Sequence, residues 1–365
     1  LWRIRAPARL ARPFAEVGLR CMRHGCISCL GCEPLRLGGP QSRSAHAYPR
    51  PIWSSGGCCP HLLRTAHRPQ TAMANTHQGS QMSTISSLHI AFLGGGNMAQ
   101  ALALGLRAHV HSITIIEPLE DTRERIRVLM APKASAQGAS LQVVASAEVI
   151  EDKVPADWLV LAVKPQQIAS ALGGLSDATR RWLAAPPTLS ILAGTTLATL
   201  SSLLGHARIV RAMPNTPALI SEGMTALVAS AEISTEQRIQ AEALMRAVGQ
   251  VQWVENEALL DAVTALSGSG PAYVFAFVEA LVQAGERLGL PPHQAQMLAS
   301  QTVKGAALML SESGDLPSAL RERVTSKGGT TAAALATLQD GGFNTLIERA
   351  LRAAYQRSIE ISQGA

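Results

Sequence analysis

The sequence predicts an α/β fold in two parts, a Rossmann-like domain over residues 86–254 and an all-α domain over residues 255–365. Three observations carry that expectation. Short apolar runs alternate with segments of helical periodicity as far as Val254. A glycine cluster stands at the first strand-to-helix junction. After Glu257 the strand-like runs stop, and prolines and glycines punctuate helical patterns only.

The first 81 residues differ in composition from the rest. They hold all six cysteines, five of the ten histidines and eleven arginines, with no lysine and only Glu16 and Glu33 as acids. Of the totals of 32 basic and 26 acidic residues, 21 and 24 remain downstream, so the excess of positive charge belongs to this leader. A core near neutrality, with no basic run to follow a phosphate backbone, is not expected to bind nucleic acid. Cys26, Cys29 and Cys32 have metal-compatible spacing but lack a second half-site, and no metal is expected. An arginine-rich, acid-poor start also resembles an organellar transit peptide, though prolines and Gly-Gly pairs interrupt it. The reading that fits best is translated upstream sequence, with the working protein starting at Met73 or Met82. The remainder has no cysteine and no uninterrupted apolar run of ~18 residues, so a soluble cytoplasmic protein without membrane contact is expected.

Leu88–Leu93 is an apolar run that ends in Gly94-Gly95-Gly96-Asn97-Met98-Ala99, beyond which small and apolar residues recur at helical spacing. Strand, tight turn, helix is the setting in which G-x-G-x-x-A binds a dinucleotide. The first glycine permits the turn, the second lets the pyrophosphate approach, and the small final residue allows helix and strand to pack closely. Ser112–Glu117 is the next strand, and Glu117 stands where an acid meets a ribose 2′-hydroxyl, which argues for NAD. Arg123 and Arg125 could meet a 2′-phosphate instead, so NADP stays open; solvated charges on the helix Asp121–Met130 would look the same.

Leu141–Ala145 and Asp157–Val163 read as further strands, the second almost wholly apolar, as befits a strand buried on both faces. It leads from Ala162 and Val163 into Lys164-Pro165-Gln166-Gln167, a polar cluster at the carboxyl end of a strand, where parallel sheets bind ligands. Thr188–Leu192 is followed by a helix through Leu204, capped by Thr195 or Thr196. Arg208–Met213 runs into Pro214-Asn215-Thr216-Pro217, a stiff loop that offers Met213 and Asn215 to a cofactor or simply turns the chain. Met224–Ala229 and Gln250–Val254 are late strands around a helix from Thr235 to Val248. Five helices follow: Pro271–Leu288, Pro291–Leu310, Pro317–Val324, Thr331–Leu338 and Asn344–Ile361. Their many alanines make a thin core, better buried against a second copy, so this domain is expected to form a dimer.

Between the last helices lies Val324-Thr-Ser-Lys-Gly-Gly-Thr-Thr331. Hydroxyls at Ser326, Thr330 and Thr331 surround a Gly-Gly pair that opens directly into a helix. Close backbone approach at Gly329 and the free N–H groups of a helix start make an anion cradle. Thr330 or Thr331 acting only as an N-cap is the plainer alternative.

Taken in order, Gly94–Ala99, Ala162-Val-Lys-Pro165, Arg211-Ala-Met-Pro-Asn-Thr-Pro217, Leu266-Ser-Gly-Ser-Gly-Pro-Ala-Tyr273 and Val324–Thr331 resemble pyrroline-5-carboxylate reductase from about residue 86 to the C-terminus. The resemblance implies reduction of the imine 1-pyrroline-5-carboxylate to L-proline by NADPH, with NADH possible. It also implies a homodimer through the C-terminal helices, often assembled into a larger ring. The substrate carboxylate would rest on Ser326 and the backbone around Gly329, Thr330 and Thr331, with Thr331 near the ring nitrogen as the catalytic candidate. Cofactor contacts would come from Gly94, Gly95, Gly96, Asn97, Met98, Glu117, Ala162, Val163, Lys164, Pro165, Met213 and Asn215. Lys327 stands where many members have proline. Two other readings remain. One is a related reductase of a six-membered cyclic imine or a 3-hydroxy acid, for which Lys304 and Lys327 are the only candidate lysines. The other is a dinucleotide sensor without turnover, which would have no use for the hydroxyl-rich cradle.

Overall fold

The computed structural model describes residues 84–131, 138–150 and 154–363. The leader, with its cysteine spacing and candidate start sites, lies outside these residues. The described chain runs β1 (His89–Leu93), α1 (Asn97–Leu106), β2 (Ser112–Ile116), α2 (Glu120–Leu129), β3 (Ser140–Val144), β4 (Trp158–Leu161), α3 (Ile168–Gly173), α4 (Asp177–Ala184), β5 (Thr188–Ser190), α5 (Leu197–Leu204), β6 (Ile209–Met213), β7 (Gly223–Ala229), α6 (Thr235–Arg246) and β8 (Gly249–Trp253). Helices then follow: α7 (Leu259–Val263), a π-turn (Thr264–Gly268), α8 (Gly270–Arg287), α9 (Pro292–Ser313), α10 (Pro317–Arg323), α11 (Thr330–Asp340) and α12 (Phe343–Ser362).

The eight strands form one sheet in the order β3-β2-β1-β4-β5-β6-β7-β8. Neighbours pair in parallel except β6 and β7, where Val210–Met213 faces Ala229–Ala226 in antiparallel register. β1 is paired on one side with β2 and on the other with β4, so the chain reverses its winding there. A doubly wound sheet binds ligands at such a switch point, outside the carboxyl ends of the strands.

Period-two side-chain alternation explains why those central strands are apolar throughout. In β1, Ile90 and Phe92 enter one core, with Leu102 and Leu244, while Ala91 and Leu93 enter the other, with Leu183 and Leu200. β4 repeats the division: Trp158 and Val160 lie on the first side, Leu159 and Leu161 on the second. Trp158 is wholly buried, yet its indole N–H donates to Gln240 Oε1 at 2.9 Å, so burial strands no donor.

Most elements fall within two residues of the boundaries expected from the sequence, and three details differ. Thr196, not Thr195, caps α5, accepting the Thr199 N–H, while Thr195 is buried. Neither Thr330 nor Thr331 caps α11: Gly329 is the N-cap and makes no side-chain capping bond, because the helix begins one residue early. Helix also starts sooner than Pro271 suggested. The π-turn Thr264–Gly268 absorbs one extra residue between α7 and α8, hiding the continuity behind a run of serine and glycine. Leu259–Arg287 therefore amounts to 29 helical residues, the one described helix long and apolar enough to cross a membrane by length and composition. A criterion based on unbroken apolar runs passes over it, because polar and small residues are scattered along it. Leu266, Val274, Phe275 and Phe277 lie exposed on it.

The sheet and the helices are joined by a polar clasp. Glu257 Oε1 accepts Arg211 Nη1 from β6 at 2.5 Å and the Leu197 N–H at the start of α5 at 2.6 Å. Asp261 Oδ1 of α7 accepts the hydroxyl of Ser358, from α12, at 2.6 Å.

Candidate functional site

A cleft of about 660 Å³ opens over the carboxyl ends of β1, β2 and β4. Its floor is the glycine loop. Gly94 has φ +105°, and a Cβ there would lie 2.8 Å from the backbone carbonyl of Ala162 and from the Val163 nitrogen, so only glycine lets β1 turn against the end of β4. Gly96 is different. A Cβ on it would find its nearest neighbour 4.0 Å away, which leaves the loop open above the start of α1. α1 has Gly96 as its N-cap and no side-chain capping bond, so its first N–H groups are free for an anion. This open cradle fits a dinucleotide pyrophosphate.

Gly94, Gly95, Gly96, Asn97, Glu117, Ala162, Val163 and Lys164 all line the cleft, as the sequence suggests for cofactor contacts. Met98, Pro165, Met213 and Asn215 do not line it. Met98 packs against the core, and Pro165 opens the 3₁₀ turn Pro165–Gln167. Met213 sits against Gly268, where a Cβ would come within 2.6 Å of its Cε. Asn215 donates from Nδ2 to the carbonyl of Ser267 at 3.1 Å and accepts the Met224 N–H at 2.9 Å. The Met-Pro-Asn-Thr loop thus docks the sheet domain onto the π-turn.

Glu117 lies at the cleft with its carboxylate turned inward. Oε2 accepts the Gly95 N–H and Oε1 the Leu119 N–H, both at 2.9 Å, so this side chain braces the glycine loop from below. Of the two arginines, Arg123 is buried. It donates to the carbonyls of Glu117, at 2.8 Å, and of Pro118, at 2.6 Å, and it pairs with Glu120. Arg125 reaches the cleft wall, where Nη2 donates to Thr122 Oγ1 at 2.8 Å.

Several cleft residues escaped the sequence reading. Gln100 Nε2 donates to the Gly95 carbonyl at 2.7 Å, and Ala145, Ser146 and Ala147 line the wall beyond β3. The rule that ligands gather at carboxyl ends of parallel strands, applied to β3 as it was to β4, would have found the last three. Gln100 carries no such signal.

The second expected half-site lies in the helical domain. Gly328 has φ +72°, and the Gly329 N–H donates to the Ser326 carbonyl at 3.1 Å. A Cβ on Gly329 would fall 2.3 Å from Ser326 Oγ, so the serine hydroxyl lies close over the glycine and a side chain there would push it aside. With Gly329 as a bare N-cap, the N–H groups of Thr330 and Thr331 begin α11 without side-chain partners from the cap. Ser326, Gly329, Thr330 and Thr331 do not line the dinucleotide cleft of their own chain. In one chain the cradle is therefore separate from the cleft lining.

Among the described residues no group of three or more His, Cys, Asp or Glu side chains could hold a metal ion. A separate apolar hollow of about 610 Å³ lies within the helical domain, between Leu266, Phe343, Ile347, Leu351 and Tyr355.

Comparison with known proteins decides the family. The chain is 43% identical over 285 residues to pyrroline-5-carboxylate reductase of Pseudomonas aeruginosa, an alignment spanning 76% of this chain and 98% of that one. This chain belongs to the pyrroline-5-carboxylate reductase family. The Haemophilus influenzae pyrroline-5-carboxylate reductase agrees, at 41% over 279 residues, covering 74% of this chain and 97% of its own. The profile described as pyrroline-5-carboxylate reductase dimerisation matches residues 257–361, and that of the coenzyme F420-dependent NADP oxidoreductases matches residues 89–184. Among solved structures, a pyrroline-5-carboxylate reductase from Coxiella burnetii superposes with TM-score 0.67 at 36% identity, over 76% of this chain and 99% of that one. The Plasmodium falciparum pyrroline carboxylate reductase, solved with NADP bound, superposes with TM-score 0.60 at 26% identity, over 76% and 99%. The pyrroline-5-carboxylate reductase dimerisation profile thus covers the helices that carry both the exposed apolar residues and the Ser326–Thr331 cradle.

Proposed function

We propose that this protein reduces the imine of 1-pyrroline-5-carboxylate to L-proline, the last step of proline biosynthesis, with NADPH as cofactor and NADH possible in its place. The cofactor supplies a hydride to the imine carbon, and the nitrogen, once protonated, becomes the amine of proline. The observation that carries the reading is the pairing of a dinucleotide cleft with an anion cradle, both in a chain of this family.

Each half has a distinct task. Free N–H groups above Gly96 hold the pyrophosphate, and Lys164 at the end of β4 adds positive charge to the same cleft. The bare start of α11 with Ser326 holds the substrate carboxylate, and Thr331 lies one residue inside the helix to meet the ring nitrogen. No histidine, cysteine or acid lies within residues 324–331, so the loop binds and orients while the imine enters already protonated or takes its proton from water. Positioning of the two reactants supplies much of the rate.

The separation of cradle and cleft within one chain is accounted for by a homodimer through the C-terminal helices, in which one protomer's cradle faces its partner's cleft. Exposed Phe275, Phe277 and Leu281 on α8 and Leu346 on α12 give that dimer an apolar surface to bury. Dimers can assemble further into a ring.

Loss of nicotinamide absorbance by the purified full chain with 1-pyrroline-5-carboxylate and NADPH or NADH tests the activity. Rapid oxidation is expected. A folded protein that binds dinucleotide yet oxidises none would send the assignment to the six-membered imine or to a sensor. Mixing the impaired Gly96→Ala and Thr331→Ala chains after dissociation is expected to raise activity above that of either variant alone, because one mixed site is intact. No recovery in verified mixed dimers would sink the shared site.

A further inference from the structure

Within the glycine loop the peptide joining Gly95 to Gly96 crosses from the interior to the cleft, since Gly95 is buried and Gly96 exposed. The loop is anchored as far as Gly95. The Gly94 N–H donates to the Ile116 carbonyl and the Gly95 N–H to Glu117 Oε2, both at 2.9 Å. Beyond that point one side chain takes over. Gln100 Nε2 donates to the Gly95 carbonyl at 2.7 Å, and among the described residues that carbonyl has no other donor and the Gly96 N–H no acceptor. Gln100 is the fourth residue of α1, and helical side chains lean toward the N-terminus, which brings this long amide back over the first turn. A carbonyl only accepts, so the amide must present its nitrogen there.

We infer that Gln100 is a positioning residue for the cofactor, holding the Gly95–Gly96 peptide in the orientation that aims the Gly96 N–H at the dinucleotide pyrophosphate. In a trans peptide the C=O and the following N–H point to opposite sides. Tying the Gly95 oxygen to the Gln100 amide therefore turns the Gly96 N–H outward, into the cleft, beside the free N–H groups of the helix start. The restraint matters because glycine stands on both sides of this peptide, where the backbone turns most freely. Without the bond the peptide samples orientations that point the N–H away, and apparent affinity falls in proportion to the fraction left competent. Loss of one neutral hydrogen bond lowers that fraction about threefold to tenfold. Glutamate could not serve here, because a carboxylate has no proton for the carbonyl and sets a negative charge beside the pyrophosphate. This role rests on the reductase reading only in that the cleft takes a nicotinamide dinucleotide.

Calorimetric dissociation constants for NADPH, NADH and ADP-ribose test it on the wild-type full chain and on Gln100→Met and Gln100→Glu, alongside thermal unfolding without ligand. Met keeps the length and removes the donor. Its Kd is expected to rise about threefold to tenfold for all three ligands, because they share the pyrophosphate. Glu should raise Kd further, since repulsion is added to the lost bond, and it reads the same quantity if the Met variant does not fold. Unliganded Tm should stay within about 2 °C of wild type. In turnover, KM for NADPH should rise while kcat at saturating cofactor holds within about twofold. A side chain that only supports the fold would instead lower Tm and leave the Kd of the folded protein unchanged. Variants that bind within about twofold of wild type, or that lose affinity only together with a Tm fall beyond about 5 °C, would overturn the inference. A wild type that binds none of the three ligands would overturn the cofactor reading and this role together, whereas equal binding by wild type and variant removes Gln100 alone.

Discussion

Two neighbouring glycines of one loop should fail in different ways when each becomes alanine. At Gly94 the backbone has φ +105°, and a methyl group would lie 2.8 Å from the Ala162 carbonyl and the Val163 nitrogen. Forcing a side chain into left-handed backbone costs about 1–2 kcal/mol, and pushing the end of β1 off the end of β4 adds about 1–3 kcal/mol. A total near 3 kcal/mol corresponds to a fall in Tm of roughly 4–6 °C for a chain this size. At Gly96 the backbone is φ −64°, ψ 176°, which any residue adopts, and the nearest atom to a methyl is 4.0 Å away. Gly96→Ala should therefore keep its stability within about 0.5 kcal/mol. Its methyl instead fills the cradle, and dinucleotide Kd should rise at least about tenfold. Thermal unfolding and nicotinamide fluorescence on both variants measure the two effects. Equal losses of stability, or Gly94→Ala as stable as wild type, would refute the assignment of one glycine to the fold and the other to the ligand.

Further outcomes follow from the same geometry. Thr331→Ala should lower kcat/KM for the imine about tenfold or more while leaving dinucleotide Kd within twofold, since the residue lies outside the cofactor cleft; an unchanged kcat/KM removes Thr331 from the site. Glu257→Ala should destabilise by about 2–3 kcal/mol in urea titration, because it strands the buried guanidinium of Arg211 and the Leu197 N–H. Ser358→Ala, which takes the buried hydroxyl from Asp261, should cost about 1–2 kcal/mol by the same measurement. Burial first, and Arg208 second, hold His206 below its ordinary value of 6.5. The unfolded chain therefore binds the extra proton more readily. His206 contributes stability that is full above pH 6.5 and is lost as pH falls through the lower folded value. Unfolding free energy against pH should flatten across that interval in His206→Gln, and an unaltered profile would show that His206 is not the group responsible.

Much of this molecule is legible in its order of residues. Short apolar runs bounded by turn residues, such as Ile90–Leu93 and Trp158–Leu161, read as strands buried on both faces, and the two faces of β1 and β4 pack into separate cores. Gly94 announced the turn because its conformation is closed to other residues, and the Ser326–Thr331 stretch announced a helix start with room for an anion. These features are local, and a chain carries local stereochemistry in its own order of residues. Side-chain direction is another matter. Glu117 lines the cleft, and its oxygens also brace the Gly95 and Leu119 N–H groups, which the sequence does not show. Asn215 was expected at the cofactor and holds the π-turn through Ser267, and of two neighbouring arginines only Arg125 reaches the cleft. Each of those side chains takes the partner that leaves fewest buried polar groups unpaired, and that choice depends on backbone brought close from far along the chain. Whether cradle and cleft meet within one chain was likewise undecidable from motif order, since it depends on where α11 lies relative to the sheet. Residue order carries most of the elements, the two motifs and the family they point to. Which charges face the cleft and which hold the fold depends on packing between residues far apart in the chain.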